Sequence, residues 1–117
     1  MPVFTLSTNV PSVKISDDFI SELSSKIADL LHKPESYVAI HVIGDQKLSF
    51  GGDAKSPAGS ALLKSIGSLG TSKQNNDIAK VLHPLIERNL GIKQDRLYIE
   101  FVNLSASAVA HNGQTFG

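Results

Sequence analysis

The chain contains no cysteine. Disulfides, thiol redox chemistry and cysteine-based metal sites are therefore excluded. Neither sign of charge is in excess, with 11 Lys plus Arg against 11 Asp plus Glu. A neutral chain carries no global field to draw nucleic acid or an anionic membrane. No apolar run approaches the ~18 residues of a spanning helix, so membrane insertion is not expected. The N-terminus has no basic region leading into a long apolar run, so no secretory signal is expected. The default location is cytoplasmic, and any export would take an unconventional route. The four histidines, His32, His41, His83 and His111, show no metal spacing on one helix or strand, and no metal or cofactor is expected.

What is present is a chain of 117 residues that resembles itself. KPESYVAIHVI (33–43) lies over IKQDRLYIEFV (92–102), and VFTLS (3–7) over LLKSI (62–66). In the same register Phe19, Leu23, Ile27 and Leu31 fall on Ile78, Leu82, Ile86 and Leu90. Apolar residues four apart form a stripe on a helix. Each half thus reads strand, helix, strand, with a pseudo-repeat of about 2–60 and 61–117. One helix and two strands are too little to fold alone, so residues 1–117 read as one fused domain, and GGDAKSPAGS (51–60) as the loop between halves.

Local signals agree. Ser16 is placed as an N-cap, with Asp17 and Asp18 in the first turn. Ile15 and Ile20 are spaced as a hydrophobic staple. Pro34 marks a stop after the first helix and Gly91 after the second. Gly51 and Gly52 read as a turn. Pro84, inside the second helix, predicts a kink near His83. Two right-handed β-α-β units give a four-stranded sheet with both helices on one face. On strand 37–43, Val38, Ile40 and Val42 face the helices, and Tyr37, Ala39, His41 and Ile43 face away. On strand 97–102, Leu97, Ile99 and Phe101 face the helices, and Tyr98, Glu100 and Val102 face away. That second face is too apolar to stay bare, and two helices cannot cover it, so a partner subunit is expected.

The opening, MPVFTLSTNV, places proline directly after methionine. The simple reading is that Pro2 starts a strand, where proline is tolerated. The sharper reading is that removal of Met1 would leave Pro2 with a free secondary amine, able to act as a base.

The motifs MPxFTLxTNVP, KPESYVAIHV, SFGG, SIG, DRLYIEF and HNGQTF together resemble the macrophage migration inhibitory factor family of the tautomerase superfamily, from end to end. The resemblance implies an α/β (α+β) fold of duplicated β-α-β units: a four-stranded mixed sheet, two helices on one face, and a homotrimer. It implies a cofactor-independent keto–enol tautomerase, an isomerase acting on phenylpyruvate-like α-keto acids and dopachrome esters, with Pro2 as catalytic base. The physics is consistent: an α-amine begins near pKa 8, and desolvation with nearby positive charge lowers it toward the working pH. Lys33 would meet the substrate carboxylate. Ser65 and Ile66 would bring backbone groups, with the Ile66 N–H donating to that carboxylate. Tyr98 would come from the adjacent subunit, and Val109 and Phe116 would line the apolar mouth. Read without the family, Lys33 is a solvated lysine, Ser65 and Ile66 a strand end, Tyr98 an interface residue, and Val109 and Phe116 C-terminal packing.

This chain departs from better-known members at three places. Glu100 stands beside Tyr98 where they have asparagine, and its carboxylate either repels an anionic substrate or is held neutral or paired with a cation. His111 replaces a tryptophan of the aromatic rim. Ala58 and Ala61 replace the cysteines of a C-x-x-C motif, which removes any thiol–disulfide activity. The resemblance also implies a cytokine-like ligand, secreted without a signal peptide, that binds the invariant-chain receptor and chemokine receptors. A structural trimer with a vestigial pocket is the remaining alternative.

Overall fold

The computed structural model describes residues 1–117. Its main elements are β1 (Pro2–Thr8), α1 (Asp17–Leu31), β2 (Ala39–Ile43), β3 (Gly59–Ser65), α2 (Ser72–Leu90) and β4 (Leu97–Asn103), followed by a short hairpin of β5 (Ala110–His111) and β6 (Gln114–Thr115). The order in the main sheet is β2-β1-β3-β4. β1 pairs parallel with β2, and β3 parallel with β4. The two halves join through an antiparallel β1–β3 pair, which makes the sheet mixed. In that pair Pro2 lies opposite Ser65.

Both helix stripes enter one core. Phe19, Leu23, Ile27 and Leu31 of α1 and Ile78, Leu82, Ile86 and Leu90 of α2 join Phe4, Leu6, Ala61, Leu63 and Leu97 in a single buried cluster. Val38, Ile40, Val42, Ile99 and Phe101 pack against it, as the strand alternation predicts. The opposite face carries exposed Ala39, His41, Ser60, Tyr98 and Glu100. Ala58 and Ala61 are both buried.

The helix ends follow from their residues. The Ser16 hydroxyl accepts from the Phe19 N–H at 3.1 Å. α2 starts with a capping box that the sequence reading passed over: Thr71 Oγ1 accepts from the Gln74 N–H, and Gln74 Oε1 from the Thr71 N–H. Gly91 ends α2 at φ 71°. α1 ends on a non-glycine residue in the same left-handed region, His32 at φ 54°.

Two expected boundaries need correction. The strand predicted over 37–43 starts at Ala39, because Glu35–Tyr37 form a 3-10 turn. Its N–H groups bond locally, Tyr37 to Pro34 O and Val38 to Glu35 O, instead of entering the ladder. The loop predicted over 51–60 gives its last two residues to β3, where Gly59 pairs with Thr8. The α2 helix runs through Pro84. Proline removes one donor there, and buried Leu82, Leu85 and Ile86 hold the helix on either side.

Candidate active site

The cleft beside the N-terminus is built by the start of β1, by the residues that lead into β2 and by the C-terminal hairpin. It measures about 330 Å³, and its lining includes Met1, Val3, Tyr37, Val109, His111 and Phe116. Its wall is aromatic. The Tyr37 ring lies edge-on to His111 at 5.7 Å and to Phe116 at 5.9 Å, and His111 stacks with Phe116 at 6.1 Å. The hairpin holds that wall through the Phe116 N–H, which donates to Val109 O at 3.1 Å. Tyr37 belongs to this site although the sequence reading did not select it. Its position in KPESY, four residues after Lys33, was the available signal.

Beside the cleft, polar groups gather around the N-terminus. The Ile66 N–H donates to Met1 O at 3.4 Å. Lys33, just past the end of α1, extends its ammonium to Ile66 O at 3.1 Å. Burial, and after it the charge of Lys33, hold the α-amine below its ordinary pKa. The strand end at Ser65 and Ile66 is fixed by the Leu104 N–H on Ser65 O at 2.8 Å and by the Gly67 N–H on Asn103 Oδ1 at 3.0 Å. The Ser65 hydroxyl is fully buried and has no hydrogen-bond partner. Such an orphan is unusual in a strand, where buried polar atoms are nearly always paired.

The structure therefore brings Pro2, Lys33, Ser65, Ile66, Val109, His111 and Phe116 to one end of the molecule, with Met1 seated between the polar and aromatic parts. It does not bring Tyr98 and Glu100 there. Tyr98 stands on β4, 73% exposed, with its ring 4.9 Å from Phe50. Glu100 lines a separate, shallow cleft on the helix-free sheet face, together with Thr5, Ser60, Leu62 and Lys64. Within one chain, these two residues and the N-terminus do not share a site.

A doubled β-α-β sheet with a proline-led first strand, and a lysine and an amide N–H trained on the chain terminus, defines an α+β protein with an N-terminal pocket. The chain belongs to the macrophage migration inhibitory factor family: the family model of that description matches residues 1–117. It is 49% identical to a macrophage migration inhibitory factor homolog of Trichuris trichiura over 99% of this chain and 100% of the relative. It is 48% identical to one of Brugia malayi over the full length of both. The solved structure of the macrophage migration inhibitory factor from Trichinella spiralis superposes with a TM-score of 0.93 at 42% identity, covering 97% of this chain and 99% of that one. No helix is long and apolar enough to cross a membrane.

Proposed function

We propose that this protein is a cofactor-independent keto–enol tautomerase of aromatic α-keto acids, working from the Pro2 amine once Met1 is removed. The observation that carries the reading is that Lys33 and the Ile66 N–H gather at the N-terminus, whose first residue lines an aromatic cleft. Burial and a neighbouring ammonium lower an amine's pKa, and an amine so lowered is a competent base near neutral pH. The base takes a proton from the carbon beside the keto group, the C–H electron pair becomes the C=C bond, and the carbonyl oxygen takes up a proton from the protonated base or from water to give the enol. The reverse reaction returns a proton to carbon and releases the one on oxygen. Lys33 and the Ile66 N–H hold the carboxylate during the transfer. Tyr37, His111 and Phe116 receive the aromatic ring, and His111 makes that rim smaller than a tryptophan would.

In the chain that begins at Met1, Pro2 nitrogen is an amide and has no basicity. The Met1 carbonyl also takes the Ile66 N–H that the carboxylate needs. Processing would both create the base and clear the pocket. We assign the working form as a homotrimer, in which the helix-free sheet faces are covered and Tyr98 and Glu100 of one copy reach the cleft of the next. We further propose a cytoplasmic protein that is also released without a signal peptide and acts as a receptor ligand; binding to the invariant-chain ectodomain tests that role.

The deciding experiment combines intact mass with phenylpyruvate tautomerisation, on the chain lacking Met1 and on the same chain with Met1 retained. Activity confined to the processed form is expected. Equal activity in both forms rules out the Pro2 amine.

A further inference from the structure

The loop after β2 is held chiefly by one arginine, with Asn9 adding a bond from Nδ2 to Ser56 O at 2.9 Å and accepting from the Ala58 N–H at 2.9 Å. Arg96, immediately before β4, donates from Nε to Pro57 O at 3.0 Å, from Nη1 to Phe50 O at 3.1 Å, and from Nη2 to Asp53 O and Ser56 O, both at 3.1 Å. Its guanidinium lies 5.7 Å from the Phe50 ring centre. The Asp53 carboxylate stands 3.7 Å away. The arginine side chain is only 16% exposed. A guanidinium largely withdrawn from water is costly unless its donors find acceptors, and here four backbone carbonyls supply them. Phe50 and Asp53 also close a turn on each other, N–H to O at 3.0 and 3.1 Å, around Gly51 and Gly52 at φ 59° and 82°.

The residues between are mostly exposed: Gly51, Gly52, Ala54, Lys55 and Ser56 face solvent. The loop contributes no residue to the large core cluster. What it does present is the Phe50 ring against Tyr98. An exposed tyrosine ordinarily samples several rotamers, and ordering it on contact costs free energy. Tyr98 is exposed yet already braced, the arrangement of an aromatic interface anchor.

We infer that Arg96 is a positioning residue: through the 50–57 loop and Phe50 it fixes the Tyr98 ring in advance for the cleft of a neighbouring copy. The inference rests on the trimeric tautomerase reading for its kinetic consequence, and on the geometry above for the fixing itself. A lysine at 96 would keep the charge and lose the fork that spans four carbonyls.

The test uses the full processed chain. The sequence has two tyrosines and no tryptophan, so in a Tyr37→Phe background the near-ultraviolet circular dichroism of tyrosine reports Tyr98 alone. Phe50→Leu and Arg96→Lys are each expected to weaken that band with the far-ultraviolet spectrum intact. In the chain with Tyr37 restored, each should raise KM for phenylpyruvate about fivefold, the scale of one aromatic pair, with kcat changed less. In a Tyr98→Ala chain, Phe50→Leu should add nothing further. Phe50→Leu keeps the question open to decision if Arg96→Lys fails to fold. An unchanged Tyr98 band overturns the inference, as does a weakened band with unchanged KM, or additive penalties in the double variant. Should the processed wild type show no turnover at all, the tautomerase reading falls, and the band alone decides whether Arg96 fixes Tyr98.

Discussion

The two halves of the chain bury equivalent residues and differ at equivalent turns. Leu23 and Leu82, and Ile27 and Ile86, are each fully buried at matching places in the two helices. Each helix is followed by a three-residue 3-10 turn, Glu35–Tyr37 in the first half and Gln94–Arg96 in the second. The last residues of those turns lie over each other in the repeat. In the first half the residue is Tyr37, which walls the N-terminal cleft. In the second it is Arg96, which clamps the 50–57 loop. The core constrains what the helices and inner strand faces carry, because close packing tolerates little change in volume. The turns answer to no such constraint, and the halves have diverged there. The strands diverge in the same way: Pro2 begins one, while Gly59 begins the other and leaves no terminal amine.

The comparison is broken most strongly at Pro2, which has no counterpart in the second half. Placing an alanine between Met1 and Pro2, so that processing leaves proline internal, should cut phenylpyruvate turnover about 10²- to 10⁴-fold, the usual loss for a positioned general base. Pro2→Gly keeps a terminal amine and should retain more activity than the insertion. If the insertion leaves the rate unchanged, the difference between the halves does not lie in the amine.

The shared part of the comparison is tested in the core. Leu23→Ala and Leu82→Ala remove matching, fully buried side chains and should each cost about 2–5 kcal/mol of stability. Denaturant titration of both variants measures the two costs on one scale. A large gap between them would mean that the two helices do not carry the core equally, and Pro84 in α2 would be the place to look.

The sequence made the repeat, both helix stripes and the inner strand faces legible because core burial imposes periods of 3.6 and 2. Ser16 and Gly91 were legible because caps have their own chemistry. The 3-10 turn at Glu35–Tyr37 was not, since three residues hold no apolar period. Tyr37 was accordingly placed on the strand, and its place in the cleft was missed. The Thr71–Gln74 box was readable from T-x-x-Q and was overlooked. The Arg96 clamp could not be read: its acceptors are carbonyls up to 46 residues earlier in the chain, and a carbonyl has no letter. Among the candidate site residues, those flanking the N-terminus came together, while Tyr98 and Glu100 lie apart within one chain. A sequence shows which residues a family would use, but not which copy supplies them.

Lys33 allows a finer test of the N-terminal site. Its ammonium is the second cause, after burial, of the lowered pKa of the Met1 amine, and it should act the same way on the Pro2 amine that processing leaves one residue further in. Removing it should therefore raise that pKa without returning it to the ordinary value. The basic form is the neutral amine, so the acid limb of the processed enzyme's rate profile should move to higher pH in Lys33→Ala. The lost attraction to the carboxylate should lower kcat/KM by about tenfold. A profile that keeps its acid limb in place would show that Lys33 does not act on the base.

The smallest effects should appear at the helix ends, where the halves use different residues for one conformation. His32 at φ 54° and Gly91 at φ 71° both close their helices in the left-handed region. A side chain in that region costs about 1–2 kcal/mol, and the surrounding bonds hold His32 there: its own N–H and that of Lys33 both reach Ala28 O. Glycine at 32 would relieve this strain. It would also give the unfolded chain more freedom, which takes back about 0.5–1 kcal/mol. The net gain for His32→Gly should be about 0.5–1 kcal/mol. Gly91→Ala runs the other way. A Cβ there meets no atom within 4 Å, so its penalty is conformational alone, about 1 kcal/mol. Thermal melts of the two variants should shift in opposite directions by a few degrees. A destabilised His32→Gly would mean that the imidazole contributes contacts worth more than its strain, and that the first half has traded an efficient helix stop for a side chain beside Lys33.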